Sequence, residues 1–80
     1  MGKTEILNKM NEIFRDAFDK EDLTISFDTT AADVEGWDSL MQMSLIEIME
    51  DEFNIRFNMD EIIGMENIGV MTDIILEHLG

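Results

Sequence analysis

Few side chains in this sequence are equipped for covalent chemistry. There is one histidine, His78, and no cysteine, so a Ser/His/Asp or Cys/His arrangement, which needs a base held beside its nucleophile, has little to build on. His78 falls near the end of the last amphipathic stretch and is expected on a frayed helix end, without a catalytic or metal-binding role. Asp28, Asp33, Glu35 and Asp38 crowd one segment and raise the question of calcium. An EF-hand loop needs oxygen ligands at alternate positions, a glycine at the sixth and a bidentate glutamate at the twelfth, and no register here provides all three. Most carboxylates are therefore expected to form a solvated acidic surface.

One serine stands apart. Ser39 follows Asp38 at the start of an amphipathic stretch, where Asp38 is suited to cap a helix and Ser39 to occupy its first turn. Taken alone, the pair is an ordinary helix start. A serine so placed is nevertheless exposed at the positive end of the helix dipole beside free backbone N–H groups, a setting that favours a phosphate on its oxygen.

The elements that position this serine follow from hydrophobic spacing. Ile6, Leu7, Met10, Ile13, Phe14, Ala17 and Phe18 recur at steps of three and four, predicting a helix from Thr4, as N-cap, to Phe18. Residues 19–37 lose that period. Leu23, Ile25 and Phe27 alternate with polar residues, which permits a strand, but there is no second convincing strand for it to pair with. A long ordered loop whose apolar residues plug the bundle is the preferred reading. A second helix is predicted from Ser39 to Phe53, with Gln42, Leu45, Ile46, Met49 and Phe53 on one side. Its other side mixes Leu40, Ser44, Glu47, Ile48 and Asp51, with Met41 between, and the exposed apolar groups there hint at a docking surface. Asn58 and Glu61 make a capping pair for a short helix at 59–63, stopped by Gly64. Asn67 caps a last helix over 68–79, with Ile68, Met71, Ile75 and Leu79 aligned. The expected fold is all-α, three long helices and one short, as a single domain over 1–80.

Composition narrows the partners. Nineteen acidic against five basic residues leave a formal charge of −14, which disfavours nucleic acid and anionic membranes and favours basic protein surfaces. Met1-Gly2-Lys3-Thr4-Glu5 leads into an amphipathic stretch rather than a signal peptide, Gly2 lacks the Ser or Thr at position 6 that myristoylation wants, and no apolar run reaches membrane-spanning length. A monomer without membrane insertion, in the cytoplasm, is expected.

Around the serine the sequence reads Gly36-Trp37-Asp38-Ser39-Leu40. This resembles the Asp-Ser-Leu attachment site of acyl and peptidyl carrier proteins, and the likeness extends to Glu50-Asp51-Glu52-Phe53, Ile55-Arg56-Phe57 and Asn67-Ile68-Gly69, from Ile6 to Leu79. The resemblance implies a four-helix carrier that is not an enzyme. A phosphopantetheinyl transferase, using Mg²⁺ in its own site, would move 4′-phosphopantetheine from coenzyme A to Ser39, with Asp38 helping to present the site. The thiol of that arm would hold acyl or aminoacyl cargo as a thioester for loading and transfer enzymes with basic docking patches. The resemblance places partner contacts on the second helix at Leu40, Glu47, Glu50 and Asp51, and the exposed apolar face adds Met41 and Ile48. Carriers of bulk fatty-acid synthesis usually have acidic residues where this chain has Met41 and Ser44, which points to a specialised pathway such as polysaccharide decoration, lipid modification or natural-product assembly. Met43, Met49, Met59, Met65 and Met71 are expected mainly to pack the core, and secondarily to line a cargo space. The competing reading is an acidic helical interaction module with no prosthetic group.

Overall fold

The computed structural model describes all 80 residues, and its elements are four α-helices with no strand: α1 (Lys3–Phe18), α2 (Ser39–Phe53), α3 (Met59–Ile63) and α4 (Ile68–Leu79). α1 packs against both α2 and α4. Its inward stripe of Ile6, Met10, Ile13 and Phe14 is buried, as the three- and four-residue spacing requires. Leu45, Ile46, Met49 and Phe53 of α2 and Ile68, Met71 and Ile75 of α4 complete the core from the helices. Truncating a fully buried residue such as Leu45 to alanine would cost about 2–5 kcal/mol.

The helix starts differ from expectation once. Thr4 lies inside α1, and Gly2 is the N-cap. The Glu5 carboxylate reaches back to accept from the Gly2 N–H at 3.2 Å, so the reciprocal half of a capping box is made without a capping side chain. At the other ends, Asp19 and Asn54 adopt left-handed backbone with φ of 54°. Lys20 and Ile55 then donate to the carbonyls of Arg15 and Glu50, which satisfies exposed C-terminal carbonyls. Asn58 and Glu61 do form the reciprocal cap of α3: Glu61 N–H donates to Asn58 Oδ1 at 2.8 Å and Asn58 N–H to Glu61 Oε1 at 2.9 Å.

Residues 19–38 are irregular apart from a 3₁₀ turn at Ala31–Asp33, yet their backbone is tied on two sides. Asn11 Oδ1 accepts from the Ile25 N–H at 2.8 Å, and Asn11 Nδ2 donates to the Ile25 carbonyl at 3.3 Å. One side-chain amide thus supplies the donor and acceptor that a neighbouring strand would supply. Arg15 Nε donates to the Leu23 carbonyl at 2.6 Å. On the α4 side, Gly69 N–H donates to Phe27 O at 2.7 Å and Ile68 N–H to Thr29 O at 2.9 Å. The alternation at Leu23, Ile25 and Phe27 is therefore that of an extended segment lying on helices, with Ile25 buried. Val34 and Trp37 follow it into the core.

Two expectations about the last helix are corrected. Leu79 aligns with the buried stripe in sequence, but it is 39% exposed at the helix end. His78 is not on a free end. Its ring lies edge-on to Phe57 with centroids 5.8 Å apart, and its Nε2 is 2.9 Å from both Glu61 carboxylate oxygens. The pair ties α4 back to α3.

Two consequences are measurable. A Cβ on Gly69 would stand 2.9 Å from the Phe27 carbonyl oxygen and 3.3 Å from Asn67 Oδ1, so Gly69→Ala must push the loop off α4. We expect a loss of about 1–3 kcal/mol, read as a melting temperature lower by at least about 4 °C in a domain of this size; unchanged melting would mean the loop is not held there. The Glu61 carboxyl titrates below its ordinary value of 4.5, first because it accepts from the Asn58 N–H and second because of His78. A depressed folded-state value contributes stability above the unfolded value and loses it as the pH falls through the folded one. Glu61→Gln should therefore melt lower at about pH 6, and the gap to the parent protein should close only below pH 4.5; a gap already closed above that pH would contradict the assignment.

Candidate functional site

The segment before α2 is built to hold one side chain up. Gly36 takes a positive φ of 90°, a region costly for other residues, and turns the chain so that Trp37 points inward while Asp38 and Ser39 point out. The Trp37 ring is edge-on to Phe14 of α1, centroids 5.1 Å apart. Its indole N–H donates to Gln42 Oε1 at 2.6 Å, so the one polar atom of this buried side chain is satisfied. Gln42 Nε2 in turn lies 3.8 Å from Met65 Sδ.

Asp38 is the N-cap of α2, its Oδ1 accepting from the Met41 N–H at 2.9 Å, a bond of the kind worth about 1 kcal/mol. Gln42 N–H donates to the Asp38 carbonyl at 2.9 Å. The N–H groups of Ser39 and Leu40 have no partner within the protein, and Ser39 is exposed. These two free donors and the positive helix end fit a phosphate carried on Ser39 Oγ. Residues able to hold such an arm on the protein are those of the adjoining cleft, about 500 Å³, where Asp38, Ser39, Trp37, Gln42, Met43, Ile62, Met65 and Glu66 meet. No three of the chain's His, Asp or Glu side chains converge in a metal-holding cluster.

The other residues expected at the site separate into two groups. Leu40 is 80% exposed beside Ser39, and Glu47, Ile48 and Asp51 are also exposed along α2. Met41 is half-buried and packs against the core rather than standing free. Glu50 is partly committed elsewhere, since its Oε2 accepts from the Phe57 N–H at 2.9 Å and so fixes the turn after α2. Among the methionines, Met49 and Met71 are wholly buried, but Met43 is 53% exposed and Met59 67%. Core packing is thus not the role of Met43 or Met59, and Met43 and Met65 face the cleft. The Trp37–Gln42 bond has one signal in the sequence, a glutamine on the otherwise apolar side of α2.

Comparison with known proteins shows the family. The family model described as the phosphopantetheine attachment site matches residues 8–75. The solution NMR structure of holo acyl carrier protein from Geobacter metallireducens is similar, with a TM-score of 0.86 and 33% sequence identity, covering 91% of this chain and 84% of that one. No curated protein sequence matches the chain significantly. With a structural match that covers 91% of the chain and a family match across most of its length, the chain belongs to the acyl carrier protein family, whose members are carriers and not catalysts.

Proposed function

We propose that Ser39 is the residue that carries 4′-phosphopantetheine and that the 1–80 unit works as one carrier domain. The observation that carries this reading is the setting of Ser39: exposed, first in α2, beside the unpartnered N–H groups of Ser39 and Leu40. When bound, the arm supplies a thiol that holds cargo as a thioester, chemistry that a chain without cysteine cannot supply itself. The protein's own part is to orient. Asp38 fixes the first turn of α2 and leaves its second carboxylate oxygen without a protein partner, open to the transferase and its Mg²⁺. Trp37 and Gln42 keep the preceding loop from swinging across the serine.

The docking face would be α2 around Leu40, with Met41 at its base, and Glu47, Ile48, Glu50 and Asp51 further along. Exposed Leu40 and Ile48 offer apolar contact, and the carboxylates attract basic patches on the transferase and on loading or transfer enzymes. Met41 and Ser44, standing where bulk fatty-acid carriers usually have acidic groups, support a specialised pathway with its own partners and acyl or aminoacyl cargo. A monomer in the cytoplasm, with no nucleic acid partner, is part of the same proposal. No helix of the structure is long and apolar enough to cross a membrane.

Incubation with coenzyme A, Mg²⁺ and a broad-specificity phosphopantetheinyl transferase should add one phosphopantetheinyl group to the intact protein, read by mass spectrometry. Ser39→Ala should add none, while its melting temperature moves by no more than a few degrees, because a change at an exposed position costs within about 0.5 kcal/mol. No addition with several transferases would favour an interaction module lacking the group. Addition that survives Ser39→Ala would move the attachment to another residue.

A further inference from the structure

The cleft beside Ser39 is mostly apolar, and Gln42 stands in its wall between two hydrophobic residues. Trp37, Gln42 and Met65 all line it; Trp37 also belongs to the core, and Met65 packs against that core. The three are joined in a row by the Trp37 Nε1–Gln42 Oε1 bond of 2.6 Å and the Gln42 Nε2–Met65 Sδ contact of 3.8 Å. Leu45, Ile46 and Met49, the next inward residues of α2, are buried. The row therefore stands between a solvent-open cleft and the apolar interior.

Nothing behind it is hollow. The molecule's three cavities are surface clefts, and none is lined by Leu45, Ile46, Met49, Ile68 or Met71. An alkyl chain entering from Ser39 would have to open its own space among close-packed side chains. It would also have to break the Trp37–Gln42 bond and leave an indole N–H and an amide against hydrocarbon without partners, which is unfavourable for each. The charged groups of the cleft are Asp38 and Glu66, and no Lys or Arg lines it, so a free carboxylate on the cargo would be repelled.

We propose that Gln42, clasped to Trp37, is the residue that determines which cargo this carrier holds: it keeps the cargo in the open cleft and bars long alkyl chains from the core. The cargo class it suits is a short acyl group, neutral or bearing an amine. This rests on attachment at Ser39. It is tested without a transferase, so that failed enzymatic loading and a failed barrier give separate results.

Because the chain has no cysteine, Ser39→Cys introduces a single thiol that can be alkylated with iodoacetamide or with N-decyl iodoacetamide. The methyl NMR signals of Leu45, Ile46, Met49, Ile68 and Met71 and the melting temperature are then compared between the two adducts. With Gln42 present, the decyl adduct should leave those methyl signals where the short adduct has them and should not raise the melting temperature. With Gln42→Leu added, or Gln42→Met should the leucine variant fold poorly, the decyl adduct should shift them and melt several degrees higher than the short one. Equal shifts with and without Gln42 would overturn the proposal. So would the absence of shifts in both backgrounds, since the barrier would then be something other than Gln42.

Discussion

The site depends on one clasp, the Trp37 indole held between Phe14 and Gln42. Residues 19–38 contain only a single 3₁₀ turn of regular structure, and a segment of that length left free would sample many conformations at an entropic cost of about 1–2 kcal/mol per residue to order. Asn11, Arg15 and the start of α4 tie its first half. Its last residues have the Trp37 clasp instead, placed two positions before Ser39, where any slack would reach the serine directly. The edge-on contact with Phe14 links the serine's turn to the face of α1 that also organises α2 and α4.

Charge sets the second constraint. With a formal charge of −14 and only two lysine–carboxylate ion pairs, Lys3–Asp73 and Lys9–Glu52, pairing offsets little of the mutual repulsion, and exposed pairs are worth about 0–1 kcal/mol at most. Apolar burial must outweigh both repulsion and chain entropy in a domain near the lower size limit for a self-sufficient core. That explains why the loop sends Ile25, Val34 and Trp37 inward. The same surplus of carboxylates, spread along α2 beside exposed Leu40 and Ile48, equips the outer face for basic partners.

The helices were legible because burial leaves a period in the sequence: the α1 stripe, the α2 stripe and the Asn58 and Asn67 caps all stand where their spacing puts them. The exposed place of Ser39 at the start of α2 was legible from the capping aspartate before it, whereas its reading as an attachment point came from the Gly36-Trp37-Asp38-Ser39-Leu40 resemblance. The Gly2 cap was not, because a glutamate reaching back to a backbone N–H does not require a capping side chain. Nor was the His78–Glu61 pair, which joins residues 17 apart in sequence through the folding of α4 onto α3. The alternation at 23–27 was genuine but had two structural meanings, and its backbone bonds to Asn11, Arg15 and the start of α4 make it an extended loop rather than a strand. The exposure of Met43 and Met59 depends on where α3 lies, which helical spacing does not encode. Gln42 carried a weak sign, a polar residue on an apolar face, whose meaning appears only once Trp37 is seen beside it.

The claim that Trp37 anchors the serine's turn is open to direct measurement, since the chain has a single tryptophan and hence one indole N–H signal. Its hydrogen exchange in the native protein should be slowed at least tenfold relative to a free indole, because the bond to Gln42 must open first, and tenfold corresponds to about 1.4 kcal/mol of opening free energy. Exchange at the free-indole rate under conditions where the helices remain protected would show that the clasp does not form and that the turn bearing Ser39 is held in some other way.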